Sequence, residues 1–368
     1  MAKRIKILFT IPNFDTAGSG RVVYDLVKGL DKTVFAPEIC CFHKRGEFFK
    51  TVEALGVPIH EFTFAQSYRP FWSLPFRILK IARFFKKHQF DLIHSWHWSS
   101  DITEPLAARL AGIPFVYTKK AMGWGNRAWR WRSHLSTKVV AINKDMVNTF
   151  LNRFRDKVVY MPLGVDLDYF KPQRPSTTLG NKLGINPSEF VIVSVANLVP
   201  VKGIEVLLEA VNLLNDATLR VLIIGNDQND YGFELKKKYP SDKIHFLGKQ
   251  LDVRPYLALA DLFVIPTLPD GRQEGLPIAP LEAMAMGIAV LGSDVAGVRD
   301  ILAEFANFLF APGNSHILSE RIKACQKMDQ EERRSWGLDM HNMVTSKYAL
   351  DRCIHKHDIL YKSLVKCI

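Results

Sequence analysis

The chain has 368 residues, 48% of them hydrophobic and 23% charged, and carries a formal net charge of +12. That length exceeds one ordinary core and suits two domains, while the composition excludes a disordered, collagen-like or disulfide-stapled chain. No apolar run reaches the roughly 18 residues of a membrane-spanning helix. The charge excess lies entirely in the first half: about 26 Lys/Arg against 14 Asp/Glu in residues 1–170, and about 23 of each beyond.

"MAKRIKILFTIPNF" has the basic start and greasy run of a secretory leader, but Asn13 and Asp15 stand where small cleavage-site residues belong, so it predicts a buried first strand. "GRVVYDLVKGL" then predicts an amphipathic helix and "PEICCF" a strand. A helix near "FFKTVEALG", the strand "IHEFTF", the basic helix "FRILKIARFFKKH" and the strand "FDLIHSW" follow. After them come the helix "TEPLAARLAG" and the strands "PFVYTK", "KVVAIN" and "KVVYMPLG". Short apolar strands separated by helices predict right-handed parallel βαβ units. "GVDLDYFKPQRPSTT", rich in proline and polar residues, reads as a linker.

Beyond it the rhythm restarts with "FVIVSVAN", "GIEVLLEAVNLLND", "LRVLIIG", "FELKKKYP", "IHFLG", "VRPYLALA", "DLFVIPT", a helix around Glu282, and "AVLGSD". The fold class is therefore α/β: two Rossmann-like, doubly wound parallel-sheet domains facing a central cleft, with ligands beyond the carboxyl ends of the strands. The predicted domains are 1–170, 171–345, and a C-terminal helix over 346–368. The five cysteines (Cys40, Cys41, Cys325, Cys353, Cys367) lack metal-ligand spacing and read as small core hydrophobes.

Four loops carry the chemistry. Gly18-Ser19-Gly20 precedes a helix, whose free N–H groups and dipole favour an anion. As a dinucleotide fingerprint it lacks the third glycine, and the second strand lacks an acid at its end, which argues against a dehydrogenase. In "VANLVPVKGIEVLLEA", Lys202 stands at a helix entrance, where an ammonium neutralises a diphosphate, and "LIIGND" ends a strand in Gly225, where backbone approaches a ligand closely. "GRQEGLPIAPLEAMAMGIAVLG" places Glu274 in a loop and Glu282 in an otherwise apolar helix. A buried carboxylate is costly unless hydrogen-bonded, and paired sugar hydroxyls satisfy two acceptors at once. Two carboxylates with the N–H groups of Gly275 and Leu276 suit a nucleotide-diphospho-sugar.

These motifs, with "LGVDLDYFKP" near the middle, resemble the retaining, two-domain (GT-B) glycosyltransferases of the large family 4 type, which include phosphatidylinositol mannosyltransferase and lipopolysaccharide core glycosyltransferases. The glutamate pair with seven residues between its members is the most specific element. The resemblance implies transfer of a sugar, with retention and without a bound metal or other cofactor, from a nucleotide-diphospho-sugar to a saccharide or lipid-linked acceptor in cell-surface polysaccharide, lipopolysaccharide or glycolipid synthesis. It implies that Glu274 holds the donor sugar's hydroxyls and Glu282 the ribose diol. Gly275, Leu276 and Gly225 would face the donor through backbone, Lys202 the leaving diphosphate, and Gly18 the reacting sugar. It also implies that the C-terminal helix crosses back onto the first domain.

Departures follow. Asn197 stands where many members carry an arginine; Lys119 or Lys120 takes the place of a site histidine and is a candidate for the missing cation, as is Arg272. His94 and His97 are candidates for the acceptor side. The stretches "YRPFWSLPFRILKIARFFKKHQF" and "GWGNRAWRWRSH" combine cations with aromatic residues, which predicts a cytoplasmic protein docked on the anionic inner face of a membrane. No nucleic-acid module is present. The rival readings are a nucleotide-sugar epimerase of the same architecture and a membrane-docked binding protein with a degenerate site.

Overall fold

The computed structural model describes residues 3–15, 18–271 and 275–365. Its chain divides into two units, one formed by Met1–Leu163 with Asp351–Ile368, the other by Gly164–Leu350. Among the described residues, each unit is built on one all-parallel sheet.

In the first unit the strands are β1 (Ile5–Thr10), β2 (Phe35–Cys41), β3 (Ile59–Glu61), β4 (Leu92–Ser95), β5 (Phe115–Lys119), β6 (Lys138–Ala141) and β7 (Val158–Tyr160), in the order β3-β2-β1-β4-β5-β6-β7. Their central residues, such as Ile7, Leu8, Phe9, Leu92 and Ile93, are fully buried. Helices cover both faces, which is why these strands read as continuous apolar runs and not as alternating ones. The chain leaves β1 toward β2 on one side and returns beyond it to β4 on the other, so the loops after β1 and β4 diverge at a topological switch point. Thr10 and Ser95 pair there, at the carboxyl edge.

The final helix, Leu350–Val365, closes the first unit. Its Tyr361 is fully buried, with its ring edge-on to Phe9 and Phe35, each 6.2 Å away between centroids. Gly29 leaves room for Ile354 of this helix: a Cβ there would lie 2.2 Å from the isoleucine Cδ1.

In the second unit the strands are β8 (Phe190–Val195), β9 (Leu219–Ile224), β10 (Ile244–Phe246), β11 (Leu262–Ile265), β12 (Val290–Ser293) and β13 (Leu309–Phe310), in the order β10-β9-β8-β11-β12-β13, with the switch point between β8 and β11. Residues 164–170, read in the sequence as part of the first domain and its linker, are held by this unit. The Val165 amide donates to the Tyr348 carbonyl, Leu350 donates to Val165, and the Arg254 guanidinium lies 3.6 Å over the Tyr169 ring. Two long helices, Ser315–Lys327 and Gln330–Lys347, complete the unit.

Cys40, Cys41, Cys325 and Cys353 are free and buried; Cys367 lies outside the described residues. Among the described residues, no helix is long and apolar enough to cross a membrane.

Truncating Tyr361 would empty a cavity between the last helix and the first sheet. Tyr361→Ala is expected to lower unfolding free energy by roughly 3–5 kcal/mol, as for other large buried aromatics, measured by denaturant titration.

Candidate functional site

Local backbone geometry at the carboxyl edge of the second sheet follows from three glycines. Gly203 has φ +62°, and a Cβ on it would stand 2.1 Å from the Pro266 carbonyl oxygen. Only glycine therefore lets the loop after β8 cross the loop after β11. The Leu268 amide donating to the Val201 carbonyl at 2.8 Å fastens the same crossing. Lys202, half-buried, ends a short 3-10 turn, Pro200–Lys202, directly before the helix Ile204–Leu214, whose N-cap Gly203 offers no side chain to cap it. An ammonium and a first turn of N–H groups thus stand together at the switch point.

Gly225 is explained differently from the sequence expectation. A Cβ there would lie 1.8 Å from the Ala196 carbonyl oxygen, so the close approach it permits is to the chain's own backbone. Its amide donates to Gly248 at 3.0 Å. Asn197, exposed, follows Ala196 on this same loop. The third glycine is Gly297, φ +81°, where a Cβ would fall 2.2 Å from the Gly275 carbonyl oxygen. That contact seats Gly275 and Leu276, both buried, just before the helix Ala279–Ala285. Glu282, half-buried, lies on this helix, whose Pro280 is tolerated in the first turn. Arg272 and Glu274 lie outside the described residues. Lys202, Gly275, Leu276 and Glu282 all belong to loops and helices that leave the carboxyl edge around β8 and β11.

The first unit gathers a second group at its own switch point. The helix Gly18–Gly29 begins after β1, and Gly20 lacks the side chain that would press on Phe14: a Cβ would sit 3.0 Å from its ring. The Lys120 ammonium, following β5, donates to Ser19 Oγ at 3.0 Å and to the Trp96 carbonyl at 2.6 Å. His97, edge-on to Phe42 and Phe64, has its Nδ1 buried without a hydrogen-bond partner. Burial first, then the charges of Arg132 and Lys120, pushes its pKa down to about 3, so it is neutral at physiological pH. Gly18, His97 and Lys120 are therefore parts of one carboxyl edge.

Two candidates are corrected. His94 is fully buried, with Nδ1 bonded to the Tyr361 hydroxyl at 2.6 Å and Nε2 to Thr118 Oγ1 at 2.9 Å, so it joins the last helix to the sheet and cannot meet an acceptor. Lys119 is likewise interior, its ammonium 4.2 Å over the Trp129 ring.

Beneath this edge lies an ionic network that the sequence reading missed. Glu104, fully buried, accepts from Thr10, Ser95 and Arg132, whose guanidinium is also fully buried and donates to the Asp101 carbonyl at 2.7 Å. Burial raises the Glu104 pKa, against the lowering pull of Arg132 and the three hydrogen bonds. Arg132 and Trp129, which belong to a stretch that the sequence predicts to face a membrane, are both interior.

Residues 16–169 match the family model of Glycosyltransferase Family 4, and residues 176–338 that of Glycosyl transferases group 1. The chain is 28% identical over 260 residues to an Escherichia coli UDP-Gal:alpha-D-GlcNAc-diphosphoundecaprenol alpha-1,3-galactosyltransferase, covering 63% of this chain and 65% of that one. It spans 44% and 40% of the length of two further curated relatives. In fold it is similar to a glycosyltransferase from Rickettsia africae (TM-score 0.87, 20% identity, 99% of this chain and 100% of that one). It is similar also to Anabaena HepE in complex with UDP and glucose (TM-score 0.82, 20% identity, 98% and 100%).

His94 and His357 have neighbouring rings, and burial holds both below the ordinary histidine range, His357 at about 4. The unfolded chain binds these protons near pH 6.5 and the folded chain does not, so folding stability is full above that value and declines as pH falls toward 4. Denaturant titrations at pH 7 and pH 5 are expected to show lower stability at pH 5, by about 2 kcal/mol from His357 with His94 acting in the same direction.

Proposed function

We propose that this chain, which belongs to the family 4 and group 1 glycosyltransferases, moves a sugar from a nucleotide-diphospho-sugar to a hydroxyl of a saccharide or lipid-linked acceptor. The observation that carries the reading is the convergence of the Lys202 turn, the Gly275–Leu276 segment and the Glu282 helix on the carboxyl edge where β8 and β11 diverge. That edge supplies a cation and amide N–H groups for a diphosphate, and a carboxylate for a vicinal diol.

In this reading Glu282 accepts from the ribose hydroxyls and Glu274 from those of the transferred sugar. Lys202 and the start of the helix Ile204–Leu214 stabilise the charge that grows on the departing diphosphate, where fixed donors are most effective. The bond between the anomeric carbon and the phosphate oxygen breaks. The acceptor oxygen bonds to the carbon from the same side, and its proton passes to the departing phosphate, so configuration is retained. No metal is required by these steps. A uridine diphosphate donor is the first to test, since the Anabaena neighbour holds UDP and the E. coli relative is named for UDP-Gal. Because Asn197 brings no second cation from the loop after β8, Lys202 carries a larger share of the phosphoryl charge here. An epimerase would convert the donor without an acceptor, which product analysis separates.

Glu274→Ala is expected to lower turnover at least ~100-fold with the circular dichroism unchanged, and Lys202→Ala to weaken UDP binding in calorimetry by about tenfold or more, as for lost charge-assisted phosphate contacts. Near-normal transfer by the first variant would defeat the assignment.

The acceptor side of the proposal is a membrane surface. Phe71 and Trp72, on the turn leading into the helix Leu74–Lys87, and Phe76, in its first turn, are 62%, 79% and 71% exposed, and Lys80, Arg83, Lys86 and Lys87 of the same helix are exposed as well. Aromatic residues at headgroup level with flanking cations bind anionic lipid surfaces. Wild type is expected to co-sediment with phosphatidylglycerol-containing vesicles at low salt, and a Phe71→Ser/Trp72→Ser/Phe76→Ser variant to remain in the supernatant. Failure of the wild type to sediment would remove this part of the reading.

A further inference from the structure

We propose that Glu38, His60 and His88 form a binding site for a divalent transition-metal ion such as zinc, on the first unit and separate from the residues assigned to sugar transfer. Their candidate ligand atoms all lie within 4.8 Å of one another. They come from three different elements: Glu38 from β2, His60 from the edge strand β3, and His88 from the C-cap of the helix Leu74–Lys87. His60 Nε2 is already 2.6 Å from Glu38 Oε2, and the two imidazoles are 4.5 Å apart between centroids.

The surroundings orient these groups as the outer shell of a metal site does. The Lys6 ammonium binds Glu38 Oε1 at 2.9 Å and the His88 carbonyl at 2.8 Å, so it fixes two of the three residues and leaves Oε2 turned toward the histidines. Phe84 stands 5.5 Å from the His60 ring and 4.7 Å from that of His88, and Phe90 stacks on His88 at 5.8 Å. Two imidazoles and one carboxylate are the donor set that zinc takes when a fourth position is left to water.

Ligands at zinc bond lengths of about 2.0–2.1 Å stand ~3.3 Å apart. The 2.6 Å pair of His60 and Glu38 therefore opens, and His88 adjusts, through side-chain torsions. The ion takes the place of the proton between His60 Nε2 and Glu38 Oε2; a neutral His60 carries its proton on Nδ1 instead, and a protonated His60 or Glu38 releases one to solvent. Once bound, it ties the short edge strand β3 to the end of the helix that carries the exposed aromatic segment.

The test uses the full-length, untagged chain, stripped with chelator and titrated with zinc chloride by calorimetry, with cobalt(II) as an absorption probe. Expected are one equivalent bound, a raised Tm reversed by chelator, and a four-coordinate cobalt spectrum without a thiolate band. His60→Ala and His88→Ala are expected to weaken binding at least ~10-fold, and His134→Ala, at an exposed histidine elsewhere, to leave it unchanged. Should an alanine variant fail to fold, Glu38→Gln and the cobalt spectrum of wild type give the same decision. No saturable binding by wild type, a thiolate band, or equal affinity in the wild type and the Glu38, His60 and His88 variants would overturn the proposal.

Discussion

The arrangement around β8 and β11 depends on one steric constraint: backbone passing against backbone with only a hydrogen atom between. At Gly203 the obstacle is the Pro266 carbonyl, at Gly225 that of Ala196, and at Gly297 that of Gly275. Any side chain at these positions would push apart the loops that carry Lys202, Asn197 and Leu276. The two positive-φ glycines would in addition be strained with any other residue. The glycines therefore act one step before ligand binding. They set loop positions, and the loops set where an ammonium and a row of amides stand. A rigid backbone crossing holds donors without reorganisation, which is what stabilising a developing charge requires.

The first unit solves its own edge by a different means. There the loops after β1 and β4 rest on Glu104 and Arg132, both without solvent contact. Desolvating such a pair cancels much of its attraction, so it adds little net stability over apolar packing of the same volume. Removing one member, however, would strand a charge. The pair ties Thr10 and Ser95 to the helix Arg127–Leu135 through directional bonds, which specify position where apolar contacts would permit sliding. Lys120, bonded to Ser19 and to the Trp96 carbonyl, extends the same logic toward the Gly18 helix.

Much of the fold was legible because its strands are buried on both faces and its helices amphipathic, so strand and helix order followed from apolar runs and turn residues. The Lys202 turn and the Glu282 helix were legible for the same reason: each is a local departure from an otherwise apolar pattern. What escaped was decided by contacts distant in sequence. His94 lies at the end of a strand, as a site histidine would, but Tyr361, 267 positions later, seals it. Arg132 stands among exposed-looking arginines and tryptophans, yet its partner Glu104 lies 28 positions earlier on a helix that periodicity alone does not orient toward it. The boundary at 170 was drawn from composition, whereas Val165, Tyr169 and Phe170 are held by strand-like pairing, a cation–π contact and burial, none of which proline content reveals.

The excess positive charge of the first half divides in the structure into two populations. Arg132 and Lys119 are buried, against a carboxylate and an aromatic ring, and Lys120 is half-buried against a hydroxyl and a carbonyl. Lys6 is held by Glu38. What remains exposed includes the row along the helix Leu74–Lys87, beside three large aromatic residues that no core contact explains. Trp72 and Phe76 are exposed on the same stretch of chain as these cations, and each exposed ring forfeits burial worth about 1.5–3 kcal/mol. The Arg132–Glu104 and Lys6–Glu38 pairs cancel within the formal charge, so the excess resides on the other cations. Among the described residues, exposed cations and exposed rings therefore coincide on one stretch of chain, residues 71–87, so that charge and apolar surface are presented from the same segment.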